Sequence, residues 1–408
     1  MTVREVILKA AKGEILWIQA ADILDYSPRH IRRLRDLYLE QGIAGLLDRR
    51  RGAPSPKSAS PEDAERILKL YRESYKGYNV KHFHEKLVEI HGEKFSYSFV
   101  LKLLQRKGAV GKKKGRGGHR QRRERRPLFG QMIHLDGSDH EWLALRPGER
   151  QTLLLIVDDA TGRNLAAELV EEETTVNCLR LMRRVVEEFG IPAQFYSDRG
   201  SVYWHTPKAG GKVDRENLTQ FGRALEQLGV EMIPAYSPQA RGRSERWNGT
   251  WQGRLVNELR TAGIKTIAEA NKYINETFLP DMNKKFSVKA AEEGSAFVDA
   301  AGADLDRIFA LRHQRRVAAD NTVKMKKVIL QIEPSPYRTS FAKCEVEVYQ
   351  HLDGAFSVDW KKRLIGRFGP SGKSMTQNLE KKAKKSKRVD GGLRSPSGLP
   401  SSPINLTP

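Results

Sequence analysis

In the first fifty residues, apolar side chains recur three or four positions apart, which predicts short amphipathic helices. A helix over residues 18–24 is followed by a turn, after which Ser27 can cap a second helix and Pro28 can occupy its first position. The buried stripe of that second helix is Ile31, Leu34 and Tyr38. Its outward side carries Arg29, Arg32 and Arg33. A helix with one apolar face and an arginine-rich opposite face suits reading of the DNA major groove. Residues 1–51 are therefore predicted to form a helix-turn-helix DNA-binding domain. The alternative is a solvated basic face on a helical bundle.

A linker rich in Pro, Ser and Gly separates this region from a second set of helical patterns. Residues 62–108 contain three apolar stripes with a short turn before the last, which predicts a second helix-turn-helix-like domain. Residues 109–127 are predicted to be a basic linker, because positions 106–126 hold eleven Lys or Arg residues against one acid. Such a block repels itself and is expected to stay extended until it meets phosphate; a nuclear-localisation signal is the alternative. The predicted DNA contacts in this linker are Lys112, Lys113, Lys114, Arg116, Arg122 and Arg123.

From residue 131 the pattern changes to alternating strands and helices, which predicts an α/β centre. A short strand over 132–135 ends at Asp136, and a strand over 193–197 ends at Asp198. The other predicted strands are 152–157, 164–170 and 231–235. The predicted helices are 174–189, 217–228 and a long one over 242–261. In this last helix Trp247, Trp251, Leu255 and Leu259 form the buried stripe. Glu245, Asn248 and Gln252 share another face, which could line a cleft.

Asp136, Asp198 and Glu245 are the candidate catalytic residues. Three carboxylates that are brought together repel one another unless cations neutralise them, and hard oxygen ligands select Mg²⁺ or Mn²⁺. A pair of such ions can support in-line attack on phosphorus. Several rivals stay open: Asp139 close to Asp136, Asp158 and Asp159 as turn formers, His134 as a packed residue, and His140 and His205 as DNA contacts.

The C-terminal part shows a third kind of pattern. Short apolar strands within residues 315–370 predict a small β-barrel. Trp360 beside Lys361 is consistent with contact to a nucleic-acid backbone, although a Trp in a small barrel is more often part of the core. Residues 371–408 are rich in Lys, Ser, Gly and Pro and are predicted to be a disordered basic tail. The fold class is therefore multidomain, with all-α, α/β and β-barrel parts in that order.

Composition limits the class of partner that the protein is expected to bind. The net charge of +22 and pI of about 9.9 indicate a polyanionic partner, most often nucleic acid. Apolar runs are far shorter than the roughly 20 residues of a membrane span, and no secretory signal is recognisable. Two cysteines cannot build a disulfide framework. We expect a soluble protein of a reducing compartment, without a membrane partner.

Three segments resemble the motifs of the retroviral-integrase and insertion-sequence transposase superfamily, most closely the bacterial ISNCY-type transposases. They are Ile-His-Leu-Asp at 133–136, Tyr-Ser-Asp-Arg-Gly-Ser at 196–201, and Tyr-Ser-Pro-Gln-Ala-Arg-Gly-Arg-Ser-Glu-Arg-Trp-Asn at 236–248. The resemblance implies that residues 128–300 form an RNase H-like DDE catalytic domain in which Asp136, Asp198 and Glu245 bind two Mg²⁺ or Mn²⁺ ions. Further predicted DNA contacts are Arg199, Arg241, Arg243, Asn248 and Gln252.

The sequence departs from this family pattern in two places. The spacing between Asp198 and Glu245 is longer than in many relatives, and the excess, at 204–213, is predicted to be a surface loop beside the active site. Gln252 stands where many insertion-sequence relatives have Lys or Arg, which weakens the expected phosphate contact at this position.

The combined prediction is a DNA transposase that binds the terminal inverted repeats of an insertion sequence and performs metal-dependent strand cleavage and strand transfer. Its expected partners are double-stranded DNA, both element ends and target, and further copies of the chain in at least a dimer. The expected location is the bacterial cytoplasm, in association with the nucleoid. The alternatives are a catalytically inactive DNA-binding regulator derived from a transposase, and an RNase H-like nuclease that only cuts.

Overall fold

The structure, a computed structural model, describes residues 1–47, 59–112, 124–208, 211–236, 242, 244–336 and 338–375. The chain divides into two compact units. One contains Met1–Glu73 and Lys102–Ala109, and the other contains Ser74–Leu101 and the chain from Val110 onward. The division falls inside the segment predicted as a second helix-turn-helix-like domain, and the predicted domain bounds stay a prediction.

The first unit begins with three helices that pack on one another. They are α1 (Val3–Ala11), α2 (Trp17–Leu24) and α3 (Pro28–Gln41), and α4 (Pro61–Glu73) follows. Asp25 adopts the left-handed conformation at the turn after α2, and the Ser27 hydroxyl accepts a hydrogen bond from the backbone of His30 at the start of α3. Ile31 is buried against α1 and α2. The predicted helices, cap and buried face are therefore present.

The second unit includes α5 (Val80–Glu89), and α6 (Tyr97–Arg106) runs from the second unit into the first. Its centre is a five-stranded sheet of order β3-β2-β1-β4-β5. The strands are β1 (Met132–His140), β2 (Gln151–Asp158), β3 (Asn164–Val170), β4 (Gln194–Ser197) and β5 (Glu231–Pro234). β1, β2 and β3 pair antiparallel, whereas β4 and β5 run parallel to β1. This sheet confirms the predicted α/β centre.

Helices cover both faces of the sheet, and β2 is therefore buried along its whole length. On one face α7 (Thr175–Phe189) and α8 (Gln220–Gln227) contribute to a core with Ile133, Leu135 and Phe195. On the other face Trp251, Leu255 and Leu259 are fully buried, as the predicted stripe requires. The elements of this second face are α9 (Ser244–Gln252), α10 (Leu255–Thr261), α11 (Ile267–Tyr273), a π-helical turn (Ile274–Phe278) and α12 (Leu279–Phe286).

Two details of the centre differ from prediction. β1 does not end at Asp136 but continues to His140, because residues 137–140 pair with the start of β2. The single helix predicted over 242–261 is two helices, α9 and α10, which are separated at Gly253 and Arg254. Arg254 leaves helical geometry there, with φ −127° and ψ −57°, and its guanidinium is buried in an ion pair with Glu85 of α5 at 2.6 Å.

Polar contacts fasten α5 to α10 within the second unit. His82 Nε2 and Lys86 Nζ lie 2.7 and 2.6 Å from Glu258 Oε1. The Tyr78 hydroxyl donates to the backbone carbonyl of Asn257 at 3.1 Å. Burial alone would raise the pKa of Glu258, but the hydrogen bonds from His82 and Lys86 lower it to about 2. The segment that starts the second unit is therefore anchored to α10.

After α13 (Leu305–Ile308) the chain forms two small sheets. They contain β6 (Leu311–Arg316), β7 (Thr322–Met325), β8 (Val328–Gln331), β9 (Glu345–Gln350), β10 (Phe356–Trp360) and β11 (Arg363–Phe368). The four-stranded sheet has the order β11-β10-β9-β6, and β7 pairs only with β8. The predicted small β-barrel is therefore not confirmed, because the described strands make two open sheets over a shared core. Within the described part of the chain, none of the helices has the length and apolar character needed to cross a membrane.

Candidate active site at the centre of the sheet

Adjacent strands carry the first two candidate carboxylates. Met132, Ile133 and His134 of β1 lie beside Gln194, Phe195 and Tyr196 of β4. Continuing this parallel register by two residues brings Asp136 alongside Asp198. Asp136 is almost fully buried, whereas Asp198 directly follows β4 and is half-buried. One Asp198 oxygen accepts a hydrogen bond from the backbone of Gly200 at 2.8 Å, which fixes the turn that follows the strand.

The third candidate, Glu245, is the second residue of α9 and is exposed. The same helix is tied to β1 further along. Asn248 Nδ2 donates to Asp136 Oδ2 at 2.8 Å, and Gln252 Nε2 donates to the Ser138 hydroxyl at 2.9 Å. Among the described residues, no three His, Cys, Asp or Glu side chains are gathered closely enough to hold a metal ion. Asp136 therefore lies in β1 and Asp198 directly after the neighbouring strand β4, while Glu245 stands at the exposed start of a helix that is attached to β1.

An unsatisfied oxygen lies next to this pair. Asn248 Oδ1 is buried and has no hydrogen-bond partner in the described structure. This oxygen and the three carboxylates are all hard oxygen donors, the type that suits a hard divalent cation better than a soft one.

The rival acids have other partners. Asp139 is exposed and pairs with Arg150 at 2.8 Å. Asp158 accepts hydrogen bonds from the backbone of Gly130 and from Thr161, and burial raises its pKa. Asp159 accepts from His134 at 2.7 Å. These contacts account for the acids and for His134 as parts of the fold. His140 packs edge-on against Trp142, and the carbonyl of His205 accepts from the backbone of Asp214.

The predicted DNA contacts fall into three groups. Arg29, Arg32 and Arg33 are exposed on α3, and Lys112 is exposed as well. Arg199 donates to the carbonyl of Gly211 at 2.6 Å and stacks on the Tyr236 ring, while Asn248 and Gln252 contact β1 as described. Seven of the predicted contacts lie outside the described residues: Lys113, Lys114, Arg116, Arg122, Arg123, Arg241 and Arg243.

The insertion at 204–213 is anchored at both ends. Trp204 and Val213 are buried in the same core as α7 and α8. The Trp204 indole also donates to the Ser197 hydroxyl, directly before Asp198, at 3.0 Å. Among the described residues between them, Lys208 and Lys212 are exposed. The two ends of the predicted surface loop are therefore buried, and its first residue supports the turn that carries Asp198.

One acid near the pair escapes notice in the sequence. Glu173, between β3 and α7, accepts a hydrogen bond from the Tyr203 hydroxyl at 2.6 Å. Burial raises the pKa of Glu173, and the charges of Asp198 and Asp136 add to the shift, although the hydrogen bond from Tyr203 opposes it. The signal in the sequence is weak, because Glu173 is the last of three consecutive glutamates.

Comparisons with known proteins find a DNA-binding domain family and two transposases. A helix-turn-helix domain family matches residues 4–54. The chain is 30% identical over 361 residues to putative transposase y4bF of Sinorhizobium fredii (strain NBRC 101917 / NGR234), covering 88% of this chain and 78% of that protein. It is also 30% identical over 325 residues to the transposase for insertion sequence IS1202 of Streptococcus pneumoniae, covering 71% of this chain and 69% of that protein.

Likeness to solved structures is slight. The cryo-EM structure of a simian T-cell lymphotropic virus intasome in complex with PP2A regulatory subunit B56 gamma is 15% identical, with a TM-score of 0.32. The match covers 71% of this chain and 91% of that chain. An overlap at this level adds nothing to the relationship seen in the sequences.

Proposed function

Because the chain belongs to the insertion-sequence transposases, we propose that it binds the terminal inverted repeats of a mobile element and cleaves and joins DNA strands there. Its helix-turn-helix domain, with three exposed arginines on α3, is suited to reading the element ends. Two ends have to be held together for strand transfer, so we propose that at least two copies of the chain act together on double-stranded DNA.

The observation that carries the catalytic part of the proposal is the tie between α9 and β1. Asn248 joins the helix that contains Glu245 to Asp136, and the register of β1 with β4, when it is continued by two residues, leads from Asp136 to Asp198. This tie supports Asp136, Asp198 and Glu245 as one catalytic triad on an RNase H-like sheet. Glu245 lies three residues before Asn248 and thus close to its face of the helix.

The all-oxygen donor set fits Mg²⁺ or Mn²⁺, and the triad would hold two such ions. When bound, these ions supply a charge that activates an attacking oxygen and stabilises the leaving oxygen at phosphorus. The chain's own residues have separate tasks. The carboxylates of Asp136, Asp198 and Glu245 provide the negative site, Asn248 orients Asp136, and the Arg199 contact with Gly211 holds the segment after Asp198.

The proposal is tested with purified protein, labelled element-end DNA, random DNA of equal length, and either Mg²⁺ or Mn²⁺. In band-shift titrations we expect the wild type to bind element ends in preference to random DNA. We also expect it to nick the ends and to join them to target DNA. Glu245→Gln keeps the shape of the side chain but removes its charge, and we expect it to bind ends normally while losing at least about 100-fold in cleavage, roughly 3 kcal/mol of transition-state stabilisation.

Asp139→Asn is the matched control, since Asp139 is a nearby acid on the same strand that pairs with Arg150 at the surface. We expect it to cleave at nearly the wild-type rate. If Asp139→Asn loses cleavage and Asp136→Asn retains it, the assignment of the first aspartate is wrong. If the wild type binds ends and cuts under neither metal, the protein is a DNA-binding regulator. Equal binding to random DNA removes the claim of end recognition.

A further inference from the structure

Glu173 connects three segments that surround the paired aspartates. Its Oε1 accepts the Tyr203 hydroxyl at 2.6 Å, and the Cys178 thiol lies 3.9 Å from the same oxygen. Tyr203 is buried, with 4% of its surface exposed, so this hydrogen bond is shielded from water. Glu173 itself directly precedes Thr174, which caps α7. Glu173 is therefore held at its carboxylate by Tyr203 and at its backbone by the start of α7.

The other oxygen of Glu173 lies against β1 at the residue after Asp136. A Cβ atom at Gly137 would lie 2.3 Å from Glu173 Oε2, well inside the contact limit. The Cβ of a residue at 137 would also meet a Thr152 methyl at 3.4 Å. The glycine is thus what allows the carboxylate to approach the strand, and a side chain there would compete with Glu173 for the same space.

Tyr203 carries the connection on to Asp198. Its backbone N–H donates to the carbonyl of Gly200 at 3.0 Å, and a Cβ at Gly200 would lie 3.6 Å from the Tyr203 ring. Gly200 in turn donates to the Asp198 carboxylate. A continuous path of contacts therefore runs from β1 beside Asp136, through Glu173 and Tyr203, to the turn that orients Asp198.

We propose that Glu173 is a positioning residue that, through Gly137 and Tyr203, sets the relative placement of Asp136 and Asp198 for a divalent cation. The inference rests on the proposed function, because it assumes that the two aspartates hold metal. It adds a residue outside the triad and two supporting residues. A purely structural Glu173 would stabilise the fold without changing how tightly the aspartates bind metal.

The test measures Mn²⁺ binding to the full chain by electron paramagnetic resonance, with Asp136→Asn/Asp198→Asn as the reference that subtracts other sites. Tyr203→Phe removes only the hydroxyl, and Glu173→Gln replaces one oxygen by a donor. We expect each to weaken aspartate-dependent Mn²⁺ affinity about tenfold or more, the usual size of outer-shell effects. The matched control is Tyr349→Phe, which removes a Tyr–Glu hydrogen bond to Glu347 in the C-terminal sheet. It should leave Mn²⁺ affinity unchanged.

A second pair of variants keeps the inference testable if Tyr203→Phe does not fold. Gly137→Ala should weaken Mn²⁺ binding in the wild-type background and have a clearly smaller effect in Glu173→Asp, whose shorter side chain leaves room for the methyl group. Additive effects of the two substitutions would overturn the inference.

The failures are distinguishable. If the wild type and the double-aspartate reference bind Mn²⁺ equally, the aspartates hold no metal and the proposed function fails at that point. If the wild type binds through the aspartates while folded Tyr203→Phe and Glu173→Gln bind as tightly, only the role of Glu173 is wrong. Weakened binding by both variants, with Tyr349→Phe normal, supports it.

Discussion

Asn248 and Gln252 lie one turn apart on α9, and each donates a hydrogen bond to β1. The two bonds differ in kind. Asn248 donates to a carboxylate, which only accepts, whereas Gln252 donates to the Ser138 hydroxyl, which can also donate. The same chemical change, amide to carboxylate, should therefore be harmful at Asn248 and nearly neutral at Gln252.

We predict that Asn248→Asp lowers strand cleavage about tenfold or more, because it places a second carboxylate against Asp136 and the like charges repel. Gln252→Glu should stay within about threefold of the wild type, since the Ser138 hydroxyl can turn and donate to the new carboxylate. Cleavage rates on labelled element ends measure both, and band shifts check that DNA binding persists. Equal losses in both variants would mean that these side chains act on DNA and not on β1.

The sequence could identify some single residues of the site but not others. Asp136 and Asp198 stand at the ends of apolar runs, and the Glu245 motif marks its helix. What sets Glu173 apart from the two exposed glutamates before it is tertiary structure, above all its contact with Tyr203, which lies 30 residues further along the chain. A local pattern contains no information about such a contact.

At the scale of elements, the α9–α10 break shows how a distant partner reshapes a helix. The apolar stripe continues through the break, and periodicity therefore predicted one helix. α9 ends before Gly253 and Arg254, where the Arg254 guanidinium pairs with Glu85 of α5, 169 residues earlier. Most of β6 precedes residues 315–370, where short strands were predicted, and the reason is related. Its polar sequence becomes a strand only because it pairs with β9. By contrast, β2 was predicted well, since a strand buried on both faces requires an apolar run such as that at 153–157.

We predict that Glu258→Gln destabilises the protein by roughly 3 kcal/mol at pH 7, because it leaves Lys86 and His82 without their buried anion. The pKa of Glu258 falls from 4.5 to about 2 on folding, so its stabilisation is complete above pH 4.5 and is lost as the pH falls toward 2. The difference in urea midpoint between wild type and variant should narrow from pH 7 to pH 3. Exposed Glu276→Gln is the control and should shift neither midpoint. A gap that is independent of pH would contradict the pKa assignment.

For the whole molecule, the charge of +22 makes long-range attraction to DNA unavoidable, so affinity alone says little about which surface reads sequence. The salt dependence of binding is more informative, since it counts the phosphates that are neutralised. The C-terminal sheets illustrate the limit of sequence at this scale. Short strands were predicted within residues 315–370, but barrel closure depends on which strand edges pair, and among the described residues β7 and β8 pair with each other and with no other strand.

We predict that replacing Arg29, Arg32 or Arg33 by Gln weakens DNA binding, with a loss of about one unit in the salt slope for each phosphate contact removed. A substitution that removes a base contact should instead relax sequence preference and leave the slope unchanged. Arg35→Gln is the matched control on the same helix, because Arg35 pairs with Asp36 at 2.9 Å. Band-shift titrations from low to high salt distinguish these cases. If Arg35→Gln changes the slope as much as the others, α3 has no preferred DNA-facing side.

The fastening of α5 to α10 has a consequence for the order of events on the ribosome. The β1–β3 hairpins can form early, as their pairing partners are close in sequence. His82 has to wait for Glu258, which is synthesised 176 residues later, and until then α5 exposes a histidine and charged groups that have no counter-ions from α10. A chain that terminates before residue 254 therefore contains all of α5 but lacks the residues of α10 and the preceding turn that α5 contacts. The contacts that fasten α5 to α10 can thus form only after Glu258 has been synthesised, long after α5 itself.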